Sequence, residues 1–512
     1  MSDWTAVRQK ASSRRRRVIF NNDGDDVFLA REPTPAAFLA TRCTGLEGTH
    51  VDTIAYCTCA GGFDNYSHES RVAPLFTATI DFVLPQNHAR ALIDQGRDNL
   101  TLVIDFCRAH DLEVFWSIRM NDVHDCWYPR MLSAFKQNHP DLLLWRPGDR
   151  GRPGDGMVEP HMYATAVDYG RPEVRDHYFD IIRDVCERYD IDGVELDFLR
   201  NPIYFRPNME GRAVTAGHLD TMTAFVRRIR TMADAIGRPR GKPILISARV
   251  PNMLAACQYI GLDVESWVEQ DLLDLIIPSI EFTPFTGDIT GMVALGHSRQ
   301  VLVYPCIGGP HQPGAGGIGF AGWAGAATNA WANGADGIVT FNEFDPQHPA
   351  WRIIGEADTL RAADKVYAVD NLNPRVTRMH EHVIDRAGRL PMPLEWGQNT
   401  DIRLPAGEDM AQRRGRIALL LLAKIESCSM SDRVTFTLNG TVLRAEVLSG
   451  TEGLAPGSVG TVTFTARVDP GALRCGDNTV GIQFTDQRRE NSQPVLTELS
   501  LHLRRRPESS TG

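Results

Sequence analysis

The stretch YDIDGVELDFLRN, residues 189–201, decides the fold of this chain. After an Asp-Gly turn its residues alternate with a period of two, so Glu195 and Asp197 share the face opposite the apolar side chains. Helical patterns flank the stretch on both sides. This arrangement predicts a strand of a parallel βα sheet, with two carboxylates at its carboxyl end.

These two carboxylates depart from the usual pattern of such a strand. Parallel strands are normally apolar on both faces because helices cover them, and departures of this kind tend to mark functional or strained sites. In α/β barrels the ends of the strands carry the catalytic residues. The alternative is a buried salt bridge between one carboxylate and an arginine from another strand.

Length and composition indicate an ordinary globular protein with more than one domain. The 512 residues are 43% hydrophobic and 23% charged. The net charge of −10 argues against nucleic acid or an anionic membrane as the main partner, and no apolar stretch approaches the roughly 20 residues of a membrane span. Ten scattered cysteines are typical of reduced core residues. Together with the lack of a signal-peptide pattern, they favour a cytoplasmic protein.

Eight predicted strands alternate with helices in residues 18–365, which predicts an α/β protein with a (β/α)₈ TIM barrel. An open doubly wound sheet is the competing topology, but no G-x-G-x-x-G follows the first strand. We expect a flexible tail at residues 1–17 and an insertion in the barrel at about 122–170. A linker at 366–395 then leads to an antiparallel β-sandwich domain at 396–506.

Polar side chains collect at the predicted carboxyl ends of the barrel strands. Carboxylates, arginines and amides around one barrel mouth suit a polyhydroxylated ligand, and the insertion adds aromatic rings that could stack on sugars. The strand-end residues are Asn22, Asp23, Arg119, Asn121, Glu195, Asp197, Arg249, Glu281, Tyr304, Asn342 and Glu343, and the aromatic ones are Trp127, Tyr128, Trp145 and Tyr163.

Patterns for other chemistries are missing. No H-x-x-x-H, H-x-H or C-x-x-C lies at a predicted strand end, so we expect no metal site and no cofactor. The cluster Asp23-x-Asp25-Asp26 lacks the twelve-residue frame of a calcium loop. A G-x-S-x-G nucleophile elbow is also absent from the sequence.

The stretch 189–201 resembles the strand-four motif of the family-10-like glycoside hydrolases, which are (β/α)₈ barrels. In that motif, Asp-Gly-(hydrophobic)-x-(hydrophobic)-Asp precedes an aromatic or aliphatic residue and an Arg. The resemblance covers residues 18–360 and implies that Asp197 is catalytic. Similar barrel families pair such an aspartate with an acid on strand six, here Glu281. The Asn-Glu pair of the family-10 xylanases is absent from strand four, and Asn342-Glu343 ends strand eight instead.

We therefore expect a glycosidase that acts on an oligosaccharide or glycoconjugate. Asp197 would be the nucleophile or essential carboxylate and Glu281 the general acid/base, with Glu195 and Glu343 as alternatives for proton transfer. The rival hypotheses are a metal-dependent sugar-acid lyase or isomerase and a noncatalytic carbohydrate-binding protein. A homo-oligomer is left open. The expected substrate-binding residues are Asn22, Asp23, Arg119, Asn121, Arg249, Tyr304, Asn342 and Trp127.

Overall fold

The computed structural model describes most of the chain, from the first helix to the last strand. The described residues are 3–59, 62–80, 84–126, 128–145, 163–279, 285–308, 319–371, 383, 389–410, 417–450, 459–485 and 493–505.

The first sheet is a closed barrel of parallel strands, which confirms the predicted (β/α)₈ fold. Neighbours in the chain are neighbours in the sheet, and the last strand, β9, pairs with β1 to close the ring. Two short strands, β7 and β8, form the seventh barrel strand because both pair with β6. Pro305 lies between them and has no N–H to donate. The strands are β1 (Val18–Asn22), β2 (Val51–Cys57), β3 (Glu113–Arg119), β4 (Gly193–Asp197), β5 (Leu245–Pro251), β6 (Leu275–Ser279), β7 (Leu302–Val303), β8 (Cys306–Gly308) and β9 (Ile338–Phe341).

Side chains on these strands alternate between two apolar environments. Those that point outward pack under the surrounding helices and form the large core of the domain. Those that point inward fill the lower part of the barrel, so it is a packed core and not a pore. The inward cluster consists of Ile19, Ala55, Phe115, Leu245, Leu275, Ile277, Tyr304, Cys306, Val339 and Phe341.

Helices surround the barrel. The sequence pattern at residues 87–110 predicts one helix, but the structure has two, because the chain turns at Gly96, where φ is +91°, and Asp98 then caps the second helix. The helices are α1 (Asp3–Ser12), α2 (Asp26–Leu29), α3 (Pro35–Arg42), α4 (Ala89–Asp94), α5 (Asn99–Ala109), α6 (Ala134–Asn138), α7 (Pro172–Arg188), α8 (Arg206–Met209), α9 (Ala216–Arg240), α10 (Leu254–Ile260), α11 (Val264–Glu269), α12 (Thr290–Ser298), α13 (Gly319–Ala332) and α14 (Ala357–Ala362).

The amino-terminal helix α1 covers the lower end of the barrel. Its Ala11 packs against the inward cluster, and the buried Arg8 pairs with Asp274 at 3.0 Å, immediately before β6. The expectation of a flexible tail at residues 1–17 is therefore corrected: residues 3–12 form a helix, and buried ion pairs of Arg8 and Arg16 attach this part of the chain to the barrel.

Two antiparallel sheets follow the barrel and enclose a second apolar core, as expected for a sandwich. One sheet has the order β10-β19-β13-β17-β16, with β11 also paired to β19, and the other has the order β12-β18-β14-β15. The expected linker at 366–395 needs correction, because β10 and β11 already belong to the first sheet. The strands are β10 (Lys365–Ala368), β11 (Met392–Pro393), β12 (Asn399–Ala406), β13 (Ile417–Cys428), β14 (Val434–Leu438), β15 (Thr441–Leu443), β16 (Ala445–Gly450), β17 (Gly460–Val468), β18 (Gly476–Phe484) and β19 (Val495–Arg505).

This β domain packs closely on helix α13 of the barrel. A Cβ atom added at Gly325 would lie 2.0 Å from the carbonyl oxygen of Val366, so the helix and β10 approach as closely as backbones can. Asn329 donates hydrogen bonds to carbonyl groups on both sides of the contact. Within the β domain, a buried ion pair of 2.6 Å between Lys365 of β10 and Glu408, just after β12, joins the two sheets beside this contact. The β domain is therefore attached to the barrel along its whole first strand.

Candidate active site

Three charged side chains lie side by side at the carboxyl ends of β3, β4 and β5. Strand register aligns Asp197 with Arg119 on one side and Arg249 on the other. Arg249 holds Asp197 through two hydrogen bonds of 2.9 Å, one to each carboxylate oxygen. The backbone N–H groups of Leu199 and Arg200 donate to Oδ1 at 2.9 and 3.1 Å. These contacts form a buried salt bridge to an arginine of another strand, which was the alternative given by the sequence.

Glu195 lies one layer deeper in the barrel than Asp197. Register places it between Ser117 and Ser247, and Ser117 Oγ donates to Glu195 Oε1 at 2.8 Å. Burial and the charge of Asp197 raise the pKa of Glu195 to about 7, against the opposing effect of Arg249. This carboxyl group therefore keeps its proton up to nearly neutral pH.

A chain of hydrogen bonds connects Arg119 to Arg200, in the loop after β4. Arg119 donates to Asp122 at 2.8 Å, and His124 Nδ1 lies 2.7 Å from the other oxygen of that carboxylate. Arg200 lies 2.8 Å from His124 Nε2. A guanidinium can only donate, so Nε2 accepts and the imidazole proton is on Nδ1. Burial and the charge of Arg200 lower the pKa of His124, although Asp122 opposes them. The imidazole is therefore neutral.

A second group of charges lies where the chain leaves β1. Asp23 pairs with Arg42, and the guanidinium carbon of Arg42 lies 4.0 Å from the ring centroid of Phe344, just after β9. Asp25 is half-buried beside this pair. Burial and the charge of Asp23 raise the pKa of Asp25 to about 7, while Arg42 and Arg119 act in the opposite direction. The rim of the barrel thus carries a second carboxyl group that keeps its proton near neutral pH.

Asn22, expected to bind substrate, forms the turn after β1. Its Oδ1 accepts a hydrogen bond from the backbone of Gly24 at 3.0 Å, and its Nδ2 donates to Asp26. Gly24 has φ of +83°, and a Cβ atom there would lie 1.9 Å from the carbonyl oxygen of Cys57. Only glycine fits this turn, and the turn sets the direction in which Asp23 and Asp25 leave the barrel.

Asn121 and Tyr304 also lie apart from the charged row. Asn121 is fully buried and donates to the carbonyl groups of Val167 at 3.1 Å and Ile203 at 2.5 Å, so it joins the end of the insertion to the loop after β4. Tyr304 is fully buried in the inward cluster next to Arg16, at the amino-terminal end of the barrel. Neither side chain shares the mouth with Asp197.

Asn342 and Glu343 follow β9, on the rim next to Asp23. Both are half-buried, and Glu343 Oε1 accepts a hydrogen bond from the backbone of Asp345 at 3.3 Å. Of the expected aromatic contacts, Tyr163 is buried in a small apolar cluster, with Trp145 packed against it. Glu281 and Trp127 lie outside the described residues.

The structure therefore brings together Arg119, Glu195, Asp197 and Arg249, with Asp23 close to Arg119. It also adds residues that sequence reasoning did not select. Asp25 was part of the acidic cluster after the first strand, but nothing in the sequence distinguishes it from its neighbours. His124 is one of three histidines in the insertion, and only its contacts with Asp122 and Arg200 give it a place in the site.

The described residues contain neither a cluster of metal ligands nor a membrane-spanning helix. No group of three or more His, Cys, Asp or Glu side chains is arranged to hold a metal ion. Within the same part of the chain, none of the helices combines the length and hydropathy needed to cross a membrane.

Comparison with protein-family models gives one match. Residues 75–214 match the family Glycosyl hydrolase-like 10. The matched segment contains Arg119, Glu195 and Asp197 and ends before Arg249. The match confirms, over these residues, the resemblance drawn from the strand-four motif. No curated protein matches the sequence.

Solved structures with a similar chain path include three described as glycoside hydrolases. The glycoside hydrolase domain of PgaB (BpsB) from Bordetella bronchiseptica is 10% identical, with a TM-score of 0.44 over 67% of this chain and 99% of that one. α-L-Fucosidase isoenzyme 2 from Paenibacillus thiaminolyticus is 14% identical, with a TM-score of 0.44 over 73% and 54%. A family 27 β-L-arabinopyranosidase from Geobacillus stearothermophilus is 12% identical, with a TM-score of 0.36 over 93% and 98%.

Proposed function

We propose that this protein is a glycoside hydrolase whose reaction takes place at the carboxyl end of the barrel. The observation that carries the proposal is the row Arg119–Asp197–Arg249, a carboxylate between two arginines at the end of the barrel where such enzymes act. The Glycosyl hydrolase-like 10 segment includes the strand that supplies Asp197. Two carboxyl groups with pKa values of about 7, Glu195 and Asp25, add groups suited to proton transfer near neutral pH.

Asp197 is proposed as the essential carboxylate. Arg249 and two backbone N–H groups fix its orientation, so a sugar bound above β4 would face a preorganised negative charge. That charge would stabilise the oxocarbenium-like transition state of glycoside cleavage, either directly or as the nucleophile. One oxygen, Oδ1, is already occupied by three donors. Any bond to the sugar would therefore use Oδ2.

Asp25 is proposed as the general acid within the described residues. It combines a pKa raised to about 7 with a partly exposed position on the rim. Glu195 has a similar pKa but is only 1% exposed and lies beneath Asp197, so a substrate reaches it less readily. Glu281 remains the acid predicted from the sequence, and Glu343 remains an alternative.

Activity on a panel of aryl glycosides and oligosaccharides tests the reaction and the acid together. If Asp25 is the acid, the rate falls as pH rises through about 7, because the protonated form is lost. Asp25→Asn should then remove this basic limb and lower kcat by about 100-fold or more for poor leaving groups. Asp26→Asn is the matched control, since Asp26 is adjacent and fully buried. Loss of the limb in Glu281→Gln, with Asp25→Asn unchanged, would assign the acid to Glu281.

The Asp197–Arg249 pair complicates any test of Asp197, because removing one partner leaves a buried charge. Asp197→Asn should reduce stability by about 3–5 kcal/mol as well as turnover. The double variant Asp197→Asn/Arg249→Met removes both charges and should recover part of that stability. If the carboxylate is catalytic, turnover stays lost in the stable double variant.

A noncatalytic carbohydrate-binding protein is the second candidate, and the Asp197–Arg249 pair also favours it. A charge-balanced, hydrogen-bonded pair can contact sugar hydroxyls without reacting. Wild-type protein that binds oligosaccharides and cleaves none of the panel would support this candidate. A metal-dependent lyase or isomerase predicts instead that EDTA abolishes activity and that Mg²⁺, Mn²⁺ or Zn²⁺ restores it.

A further inference from the structure

A cleft of about 440 Å³ lies between the barrel and the β domain. On the barrel side it begins at Asn252, the residue directly after the last residue of β5, so it opens at the same end of the barrel as Arg249. Met253 and Gly291 also line this side, and Arg403 of β12 lines the other. The volume is within the range of about 300–1,000 Å³ found for ligand sites.

One wall of the cleft is held rigidly by a buried carboxylate of the β domain. Asp370 is fully buried and accepts hydrogen bonds from the backbone N–H of Thr286 at 2.7 Å and from that of Phe285 at 3.2 Å. Arg389 pairs with the same carboxylate at 3.1 Å. Because Thr286 and Arg389 both line the cleft, this wall is already formed before any ligand binds.

The polar groups of the cleft indicate a particular ligand chemistry. Asn252 Nδ2 donates to the carbonyl of Asp288 at 2.8 Å, and this fixes the orientation of the amide. Its Oδ1 is buried and has no hydrogen-bond partner among the described residues. Oδ1 is an acceptor and requires an O–H or N–H donor. The half-exposed guanidinium of Arg403, which also lines the cleft, donates to Asp477 at 2.8 Å and to the carbonyl of Thr286 at 3.2 Å, and a guanidinium has three further N–H donors.

We propose that this cleft is a carbohydrate subsite that binds the part of an oligosaccharide distant from the bond that is cleaved. Sugar hydroxyls both donate and accept, so they satisfy Asn252 and Arg403 together, whereas an inorganic anion would satisfy only the arginine. The half-buried Met253 adds an apolar contact for a sugar ring. This subsite extends the proposed glycosidase site and, in that respect, rests on the proposed function.

Gly291 allows a direct test, because it lines the cleft and a Cβ atom there meets nothing within 4 Å. Gly291→Trp therefore fills the cleft from the second residue of α12 without a clash at the backbone. Gly217→Trp is the matched control: it is the second residue of α9, and its added Cβ has only one neighbour, at 3.8 Å. Binding of a panel of fluorescently labelled neutral tetrasaccharides and the matching monosaccharides is measured by anisotropy.

We expect Gly291→Trp to weaken tetrasaccharide binding about tenfold or more, to leave monosaccharide binding unchanged, and to unfold at the same temperature as wild type. Gly217→Trp should behave as wild type in each assay. Unchanged tetrasaccharide binding in Gly291→Trp would overturn the subsite, as would a wild-type protein that binds none of the tetrasaccharides. In either case, cleavage of aryl monosaccharides would still support the proposed glycosidase function. Tetrasaccharide binding without cleavage of any glycoside would contradict the glycosidase function and leave the subsite standing.

Discussion

At the scale of single residues, the barrel holds two neighbouring carboxyl groups in different electrostatic environments. Asp197 is balanced by the guanidinium of Arg249, whereas Glu195 lies between two serines and forms no ion pair with any described residue. The difference follows from register, since the two arginines align with Asp197 and the two serines with Glu195. The folded protein therefore favours the protonated form of Glu195.

The pH dependence of stability should report this state of Glu195. Its pKa is about 7 in the folded protein, against a usual value of 4.5. Between these values the unfolded chain releases a proton that the folded chain retains. The free energy of unfolding should therefore fall as pH rises from about 4.5 to about 7, by on the order of 3 kcal/mol. Denaturant titrations of wild type and Glu195→Gln across this range measure it, and equal slopes for the two proteins would contradict the assignment.

The sequence predicted part of this arrangement from alternation alone. A period of two places Glu195 and Asp197 on one face, and the same reasoning turns Arg119 and Arg249 toward the same interior. Contacts between distant segments escaped prediction. Burial in the folded barrel and the charge of Asp23 raise the pKa of Asp25, and Arg42 and Arg119, both remote in sequence, oppose that rise. The role of Asn121 in holding the insertion likewise depends on backbone groups remote in sequence.

At the scale of elements, the number and order of barrel strands followed from periodicity, but interruptions did not. Pro305 divides the seventh strand, and the turn at Gly96 divides a predicted helix in two. The largest difference is α1, whose basic residues resemble a solvated tail in the sequence. Its contacts are charge pairs with acidic residues far along the chain, and no local pattern encodes such pairs.

Substitution of two arginines distinguishes an attached helix from a flexible tail. Arg8 is 4% exposed and pairs with Asp274 and Asp234, so Arg8→Met should lower the free energy of unfolding by about 1.5–3 kcal/mol. Arg14 is exposed and donates only to the backbone of Asp111, so Arg14→Met should change stability by less than about 0.5 kcal/mol. Urea unfolding of both variants measures the difference. Equal effects would mean that α1 is not attached in solution.

At the scale of the whole molecule, the barrel and the β domain behave as one packed body. The sequence predicted a barrel followed by antiparallel sheets, which the structure confirms, but put a linker where β10 lies. A change from helical to strand periodicity marks where one fold ends, yet it carries no information on which surfaces then meet. The hydrogen bonds from Thr286 to Asp370 and from Asn329 to the carbonyl of Pro405 cross that boundary.

Calorimetry should show this coupling as one unfolding transition for the full chain. Asp370→Ala leaves Arg389 buried without its carboxylate partner, which should lower the free energy of unfolding by about 3–5 kcal/mol. The transition temperature should then fall by about 3–5 °C, or the single transition should separate into two. Asp477→Ala is the matched control in the same domain, since its pair with Arg403 is exposed, and it should have almost no effect. Two well-separated transitions in the wild-type protein would show that the domains unfold independently.

The absence of a side chain at Gly325 limits how this protein can have diversified. Any larger residue would push β10 away from α13, because the carbonyl of Val366 occupies the space where a Cβ atom would lie. A recombination event that joined this β domain to a different barrel would need a glycine at the same turn of the same helix. Exchange of the barrel alone or of the β domain alone is therefore disfavoured. We expect the two domains to be inherited together and not recombined separately.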